Sequence, residues 1–273
     1  TVSLDANKKL DIELISLDIQ LEDVVVSDVA EDYNVSSIEM STSKLDISKV
    51  AEIPTFLGEN DIIKAIQLLP GVSSVGEGAS GFNVRGGSVG QNLVLLDEAP
   101  VYNSSHLLGF LSVFNPDAVK DLKLYKGGIP SRYGGRISSI LDIRMKDGNS
   151  KKTSVSGGIG SIFSRLTLES PIVKDKSSFI LALRRSYADI LFRPFLNNSS
   201  FLDDGAALNF YDVTAKANFE INDKNTIYLS SYLGRDIFMF DERQGFNWGN
   251  RTGTLRWNHL FNDRLFSNFT LIY

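Results

Sequence analysis

The sequence predicts an α+β unit of short, sharply turned strands, followed by long antiparallel strands. Between Pro70 and Gly148, short runs of β-forming residues are separated by paired glycines such as Gly86-Gly87 and Gly127-Gly128. Glycine adopts the positive φ angles that tight reversals need, so this stretch is expected to be a small sheet with close turns. From Thr153 onward, apolar and polar residues alternate over longer runs, which is typical of extended strands with two different faces.

Composition and residue types narrow the classes of function. The 273 residues carry a net charge of −5 and no basic tract, so nucleic acid is not an expected partner. Cysteine is absent and only two histidines occur, so the sequence predicts no disulfide, no thiolate metal site and no His-rich metal site. There is no Ser-His-Asp order, zinc-ligand spacing or convincing phosphate loop, so we expect no enzyme, no catalytic residue and no cofactor. The chain begins at Thr1 without a charged-then-apolar leader, and we expect the natural N-terminus upstream.

One amphipathic helix is predicted ahead of the short strands. Asn60 or Asp61 can cap it, and Pro70-Gly71 ends it. Its apolar residues recur at helical spacing and place one face on a core: Ile62, Ile63, Ala65, Ile66 and Leu69. The short strands are expected at Phe82–Arg85, Asn92–Leu96, Val119–Tyr125 and Ile137–Met145. Gly76–Gly81 has the letters of a dinucleotide-binding loop, but it opens a strand instead of a helix, which favours a flexible loop.

The residues after Thr153 have the pattern of outer-membrane barrel strands. In the run Tyr211–Ile221, apolar side chains alternate with polar and charged ones, as in a strand with a lipid-facing exterior and a wet lumen. Turns alternate in length: the short ones are Pro171–Ser177, Asn222–Asn225 and Asn262–Arg264, and the longer ones are Phe192–Ala207 and Asp241–Asn250. We expect about six strands, too few to enclose a domain, so the chain is predicted to be a fragment or to have its open edge covered by another molecule.

Five motifs in the first part resemble, in order and spacing, the plug domain of TonB-dependent outer-membrane receptors. They are Leu69–Val72 (LPGV), Asn83–Gly87 (NVRGG), Val94–Val101 (VLLDEAPV), Lys126–Gly128 (KGG) and Tyr133–Ile137 (YGGRI). The resemblance covers essentially the whole chain. It implies an α+β plug domain followed by antiparallel transmembrane β-barrel strands that form an incomplete barrel.

The resemblance also implies four regions along the chain. Residues 1–20 are similar to the tail of a carboxypeptidase-regulatory-like domain, which often precedes the plug in receptors from Bacteroidetes. Residues 21–50 are expected to hold a TonB box and linker, residues 51–150 the plug, and residues 151–273 the first six or so barrel strands.

The function that the resemblance implies is active import across the bacterial outer membrane. TonB, with ExbB and ExbD, supplies the energy, and the plug rearranges to let the ligand pass. Outer-membrane lipid surrounds the barrel, and the plug and N-terminal arm reach the periplasm. Whether a SusD-like surface lipoprotein is a further partner stays open. Whether the ligand is a siderophore, vitamin, glycan or peptide stays open. The alternative is a non-transporting receptor or scaffold subunit of an outer-membrane complex, or a barrel caught during membrane assembly.

The TonB-binding residues implied by the resemblance form one acidic and β-branched segment. They are Glu22, Asp23, Val24, Val25, Val26 and Ser27. From the residues alone, the segment also fits one more short strand, and that alternative stays open. β-branched residues favour an extended backbone, and an extended segment can add to the edge of a partner's sheet. The polar stretch Asp28–Lys49 is predicted to be a tether, part of which can pair as a strand.

The resemblance implies that two plug loops face outward and contact the ligand, and by order in the chain they match Val72–Ser80 and Tyr102–Phe114. The candidate ligand-binding residues in them are Ser73, Ser74, Glu77, Tyr102, Asn103, Ser104, Ser105 and His106. An aromatic face, an amide, hydroxyls and an imidazole suit a polar or sugar-like ligand, although loops are commonly polar without any such role.

Four cationic residues beside glycine turns are candidates for holding the plug in the barrel: Arg85, Lys126, Arg132 and Arg136. In the family, arginines at such positions pair with carboxylates of the barrel wall, and a buried ion pair fixes position. The chain departs from the family pattern at two points. Lys126 replaces the usual arginine and lacks its bidentate fork, and Arg136–Ser139 replaces a glycine-rich run.

Overall fold

The computed structural model describes residues 40–55, 59–187, 207–239 and 244–273. The expected carboxypeptidase-regulatory-like tail, the TonB box and most of the linker lie outside the described residues, as does most of the connection Phe192–Ala207. Among the described residues, no helix is long and apolar enough to cross a membrane.

The first part of the described chain is an α+β domain built on a five-stranded sheet. Its strands, in spatial order, are β1 (Thr42–Asp46), β8 (Val119–Tyr125), β9 (Ser139–Met145), β4 (Asn92–Leu96) and β5 (Ala99–Pro100). Two small hairpins accompany it: β2 (Val72–Ser74) with β3 (Phe82–Val84), and β6 (Ser105–His106) with β7 (Leu111–Ser112). Three 3₁₀ turns occur at Val89–Gln91, Leu107–Gly109 and Pro116–Ala118. The four expected strands are confirmed, with bounds that differ from the sequence prediction by at most two residues.

The α+β domain begins earlier than residue 51, where the sequence placed its start. β1 pairs antiparallel with β8 over five residues, from Thr42 opposite Tyr125 to Asp46 opposite Asp121. Asp46 then caps the short helix α1 (Ile47–Ala51) by accepting a hydrogen bond from Ser48 N at 2.8 Å. The end of the segment assigned to the linker is therefore an edge strand and a helix of this domain.

Helix α2 (Ile62–Gln67) packs the apolar residues that the sequence assigned to it. Asp61 is its N-cap, and the Asp61 Oδ1 atom accepts hydrogen bonds from Ile63 N at 2.8 Å and Lys64 N at 3.3 Å. Ile62, Ile63 and Ile66 are fully buried against the sheet, and each such side chain contributes roughly 1.5–3 kcal/mol by leaving water. Asn60 Nδ2 donates to three carbonyls at the end of α1, those of Val50, Ala51 and Ile53. Asn60 therefore joins the two helices, while Asp61 is the cap.

The second part of the described chain is a meander of seven antiparallel strands in sequential order. They are β10 (Ser154–Ile159), β11 (Phe163–Val173), β12 (Ser177–Ser186), β13 (Ala207–Asn222), β14 (Asn225–Met239), β15 (Gly245–Asn262) and β16 (Leu265–Ile272). The sequence predicted about six strands. The difference arises because the chain reverses at residues 160–162, where Gly160 N donates to Phe163 O, and so divides the first expected strand in two. β15 has 18 residues, well above the usual ~5–6 residues of a strand in a globular protein.

The two faces of this long-stranded sheet differ as the alternation predicted. On β13, the residues that face the α+β domain are Phe210, Asp212, Thr214 and Lys216, all of them buried. Large apolar side chains lie exposed on the other face, among them Phe219, Leu229, Leu255 and Trp257. The α+β domain therefore covers the polar face of the sheet. The strands are joined by tight turns at 174–176, 223–224 and 263–264 at one end, the turn end, and by the connections 187–206 and 240–244 at the other, the loop end.

Candidate functional site: the interface between the α+β domain and the long-stranded sheet

Arg184 on β12 is the centre of a buried ion-pair cluster. Its side chain is 1 % exposed. The guanidinium donates to Glu59 Oε2 at 2.9 Å, to Asp212 Oδ2 at 2.8 Å and to the carbonyl of Ser112 at 2.8 Å. The planar fork of arginine suits this arrangement, because it directs several donors to fixed positions at once. One side chain thereby connects two strands of the sheet with the start of α2 and with β7.

His106 on β6 bridges two aspartates of the sheet. Its Nε2 atom lies 2.7 Å from Asp212 Oδ1 on β13, and its Nδ1 atom lies 2.7 Å from Asp236 Oδ2 on β14. The backbone N–H of Leu107 donates to Asp236 Oδ1 at 2.9 Å, and the hydroxyl of Tyr232 donates to Asp212 Oδ1 at 2.7 Å. Every carboxylate oxygen of the two aspartates therefore lies within hydrogen-bond distance of a partner.

Aromatic rings exclude water from this cluster. Phe210 stacks on His106 with ring centroids 4.3 Å apart, and the Arg184 guanidinium lies 5.3 Å from the same ring. Phe163 and Phe210 pack with Leu107 and Leu111 as a small apolar core. Because the surroundings are dry, the charges interact more strongly than they would in water, and each one must have a partner.

The pKa of His106 follows from these neighbours. Burial by itself lowers the pKa of the imidazole, but the charge of Asp212 and the hydrogen bonds to Asp212 and Asp236 outweigh burial and the opposing charge of Arg184. The pKa of His106 therefore lies above its ordinary value of 6.5.

Asp61 joins the start of α2 to both of the loops that the sequence expected to face outward. Besides capping α2, its Oδ2 atom accepts hydrogen bonds from Ser80 Oγ at 3.0 Å and from Ser112 N at 2.8 Å. Ser80 N also donates to the carbonyl of Gly109. The loops Val72–Ser80 and Tyr102–Phe114 are therefore neighbours, and one carboxylate holds both.

A second set of ion pairs lies nearer the turn end of the sheet. Lys216 Nζ on β13 lies 3.2 Å from Asp97 Oδ2 and 3.0 Å from Asp147 Oδ1, and it donates to the carbonyl of Met145 at 3.0 Å. Arg256 on β15 pairs with Glu98 at 3.1 Å. Asp97 and Glu98 have φ angles of 44° and 74° in the turn between β4 and β5, so two strand cations bind a turn whose backbone is in the left-handed region.

Two further polar contacts lie at the interface. Arg165 on β11 lies 3.3 Å from Asp117. Towards the loop end, Asn250 on β15 accepts a hydrogen bond from Asn103 N at 3.3 Å and donates one to the carbonyl of Asn103 at 2.6 Å. A single amide side chain thus pairs with the backbone of the second expected ligand loop.

The four predicted plug-locking cations have their polar contacts within the α+β domain in the described part of the chain. Arg85 donates to Ser41 Oγ, Lys126 to the carbonyl of Pro70, Arg132 to the hydroxyls of Tyr125 and Tyr133, and Arg136 to the carbonyl of Gly135. No carboxylate of the described strands pairs with these four side chains, and their role in holding the plug stays a prediction. Five of the ion pairs across the interface have the opposite polarity. The strand cations Arg165, Arg184, Lys216 and Arg256 bind the acidic residues Asp117, Glu59, Asp97, Asp147 and Glu98 of the α+β domain and its exit.

The eight candidate ligand residues divide by exposure. Ser73, Ser74, Glu77 and Tyr102 are exposed, whereas Asn103, Ser104 and Ser105 are half-buried. His106 is 1 % exposed, and both of its ring nitrogens are occupied by aspartates. His106 therefore binds the sheet and has no free nitrogen for a ligand, whereas ligand binding by the other seven stays a prediction.

Residues 37–139 match the family model of the TonB-dependent receptor plug domain. The fold is similar to that of the siderophore receptor PirA from Acinetobacter baumannii, with a TM-score of 0.60, 14% identity, and coverage of 86% of this chain and 39% of that one. It is also similar to the ferric enterobactin receptor PfeA from Pseudomonas aeruginosa (TM-score 0.59, 15% identity, 89% and 41% covered). A third similar structure is the copper transporter OprC (TM-score 0.55, 13% identity, 85% and 36% covered). No curated protein sequence matches the chain.

The resemblance stated from the sequence is therefore confirmed. The α+β domain is a TonB-dependent receptor plug domain, and the described chain has the fold of a plug followed by antiparallel strands like those that start a receptor barrel. The similar proteins are receptors and a transporter, not enzymes. The chain spans about two fifths of the length of the receptors it matches.

Proposed function

We propose that this chain supplies the plug and the first barrel strands of a TonB-dependent transporter that imports a ligand across the bacterial outer membrane. One observation carries the proposal: the plug covers the polar face of a sheet whose opposite face is apolar, and buried ion pairs join the two. A strand that is polar on one side and apolar on the other suits a wall between a wet lumen and lipid. A domain held on the lumen side of such a wall closes the passage.

The transport cycle has three steps in this proposal. Ligand binds the exposed plug loops, in which Ser73, Ser74, Glu77 and Tyr102 are accessible. The segment Glu22–Ser27 adds as a strand to the periplasmic part of TonB. TonB, energised through ExbB and ExbD, then pulls on the segment, and the plug rearranges so that the ligand passes.

The ligand and the other partners are proposed only as classes. The similar receptors are named for siderophores, ferric enterobactin and copper, so a small ligand fits the fold. Outer-membrane lipid would contact the exposed apolar residues of β13–β16, and a SusD-like lipoprotein would lie over the loop end. The plug and the N-terminal arm would face the periplasm.

A deletion tests the energy-coupling step. In the full-length receptor, removal of Leu21–Ser27 is expected to abolish binding of the periplasmic domain of TonB, measured with purified proteins. Removal of the equally long Val29–Val35 from the same arm is the matched control and should leave that binding intact. In cells, the first deletion should abolish uptake of any siderophore or copper complex that the intact receptor imports, without changing its binding. Unchanged uptake would refute the assignment.

A further inference from the structure

The protonation state of His106 is fixed by the geometry of its two contacts. Both ring nitrogens lie 2.7 Å from carboxylate oxygens, those of Asp212 and Asp236. A neutral imidazole has one N–H donor and one acceptor nitrogen, whereas a carboxylate only accepts. With both aspartates ionised, both contacts are hydrogen bonds at the same time only when the ring is doubly protonated. The stacked Phe210 ring is compatible with a cation, since an aromatic face attracts positive charge.

The charges around His106 also favour the protonated ring. The titratable and charged groups packed about it are Asp212 on β13, Asp236 and Tyr232 on β14, Arg184 on β12, and Glu59 ahead of α2. With an imidazolium, three carboxylates face two cations, for a net charge of −1. Loss of the proton would leave three carboxylates and one cation in a dry site and would place an acceptor nitrogen against a carboxylate, which is repulsive.

The segment that His106 anchors is strained and is exposed at its tip. Leu107 and Leu108 have positive φ angles of 51° and 59°, and Gly109 follows with 105°. Such a conformation of non-glycine residues persists only where the surroundings enforce it. Here the contacts to the long-stranded sheet that hold it include the His106 bridge and the bond from Leu107 N to Asp236. Leu108, the next residue, is 57% exposed.

We propose that His106 is a positioning residue which, as an imidazolium, fastens the outward plug loop Tyr102–Phe114 to β13 and β14 and releases that loop when it loses its proton. The residue acts through the loop and does not touch the ligand. The proposed function assigns ligand binding to this loop. Release of the loop by loss of the His106 proton would therefore make ligand binding depend on pH.

The test follows the loop and the histidine separately, in the full-length receptor in membranes without ligand or TonB. A spin label on L108C reports loop mobility, and a label on I137C, whose side chain is 81% exposed on the plug, is the matched control. The chain itself contributes no cysteine to compete for the label. The titration of His106 is read from ¹⁵N-histidine spectra, and H106N identifies its signals. We expect the Leu108 label to become mobile with the same midpoint as His106, above pH 6.5, while the Ile137 label does not change.

The variant D236N tells whether the loop is held by the protonation of His106 or only by its packing. An asparagine at this position can still accept from Leu107 N and can donate to a neutral His106, so the loop should stay fastened without the second proton. The midpoint of the His106 titration is then expected to fall by about one pH unit or more, since one neighbouring negative charge is gone. An unchanged His106 midpoint in D236N, a His106 that titrates at or below pH 6.5 in the native receptor, or a Leu108 label that ignores this titration in the native receptor would each overturn the proposal. None of these measurements uses transport, so the outcome is independent of whether the chain imports anything.

Discussion

Asp212 and Lys216 lie four residues apart on the inward face of β13, and each anchors a different part of the plug. Asp212 binds His106 and Arg184, whereas Lys216 binds Asp97 at the turn between β4 and β5. At the usual rise of a strand, the two anchor points are separated by about 13 Å. A single strand therefore holds the plug at two levels, and separation of the plug from this wall must break both.

Gly234 is required by the Tyr232–Asp212 hydrogen bond. It lies opposite Asp212 in the pairing of β13 with β14. A methyl group at this position would overlap the Tyr232 hydroxyl and would lie 2.8 Å from Asp212 Oδ1. We expect G234A to lower the free energy of unfolding of the plug and wall by about 1–3 kcal/mol, because a buried hydrogen bond is lost. G253A on β15, where nothing lies within 4 Å of the added Cβ, is the control and should be close to neutral in the same denaturant titration.

Asp61 should matter more than an ordinary helix cap. D61A removes the cap of α2, at a cost of about 1 kcal/mol, and also leaves Ser112 N and Ser80 Oγ without their acceptor. A buried donor without a partner adds roughly 1–3 kcal/mol. The corresponding change at the half-buried cap of α1, D46A, should cost only the capping energy. Equal losses in the two variants, measured by thermal unfolding, would show that the Asp61 bonds to the loops contribute nothing.

The pair Arg256–Glu98 should be much weaker than the buried pairs. The two side chains are 20% and 38% exposed, and a pair that water reaches contributes only about 0.2–1 kcal/mol. A double-mutant cycle with R256Q and E98Q in unfolding experiments should give a coupling in that range, decreasing as salt is added. A coupling of several kcal/mol would mean that the pair is screened from solvent in the working protein.

The raised pKa of His106 has a definite sign in the pH dependence of stability. The unfolded chain loses its proton near 6.5, whereas the folded protein holds it to higher pH. The stabilisation from His106 is therefore fully present below pH 6.5 and is lost as pH rises through the raised folded value. We expect the unfolding midpoint of the native protein to fall across that interval, and that of H106N to lack this step. A native midpoint that rises in the same interval would contradict the assignment.

Most of the fold follows from local sequence features. The cap at Asp61, the stop at Pro70-Gly71 and the apolar spacing of Ile62, Ile63 and Ile66 specify α2 without reference to distant residues. The alternation along β13 likewise fixes which face is polar. Residues 154–173 were predicted to form one strand, whereas they hold two, because the chain reverses at residues 160–162.

The contacts across the interface could not be predicted from local sequence features. Glu59 and Arg184 are separated by 125 residues, and His106 and Asp236 by 130, so no local pattern links them. The resemblance placed the cations on the plug, at Arg85 and its counterparts, whereas the charges that meet across this interface are mostly cations of the strands. One signal was present: Lys216 and Asp212 already lay on the predicted wet face, where a charge needs a partner.

A double-mutant cycle on Arg184 and Glu59 tests most directly whether strand cations hold the plug. R184M and E59Q are made singly and together in the full-length receptor, and R185M, which changes the exposed neighbour of Arg184, is the control. R184M leaves the buried Glu59 carboxylate without its cation, so it should lower the free energy of unfolding of the plug by about 3–5 kcal/mol. E59Q should cost less, because Arg184 keeps Asp212 as a partner. The double variant should recover a coupling energy of more than ~1 kcal/mol. A coupling near zero, or equal losses in R184M and R185M, would contradict the claim that this pair fastens the plug to its wall.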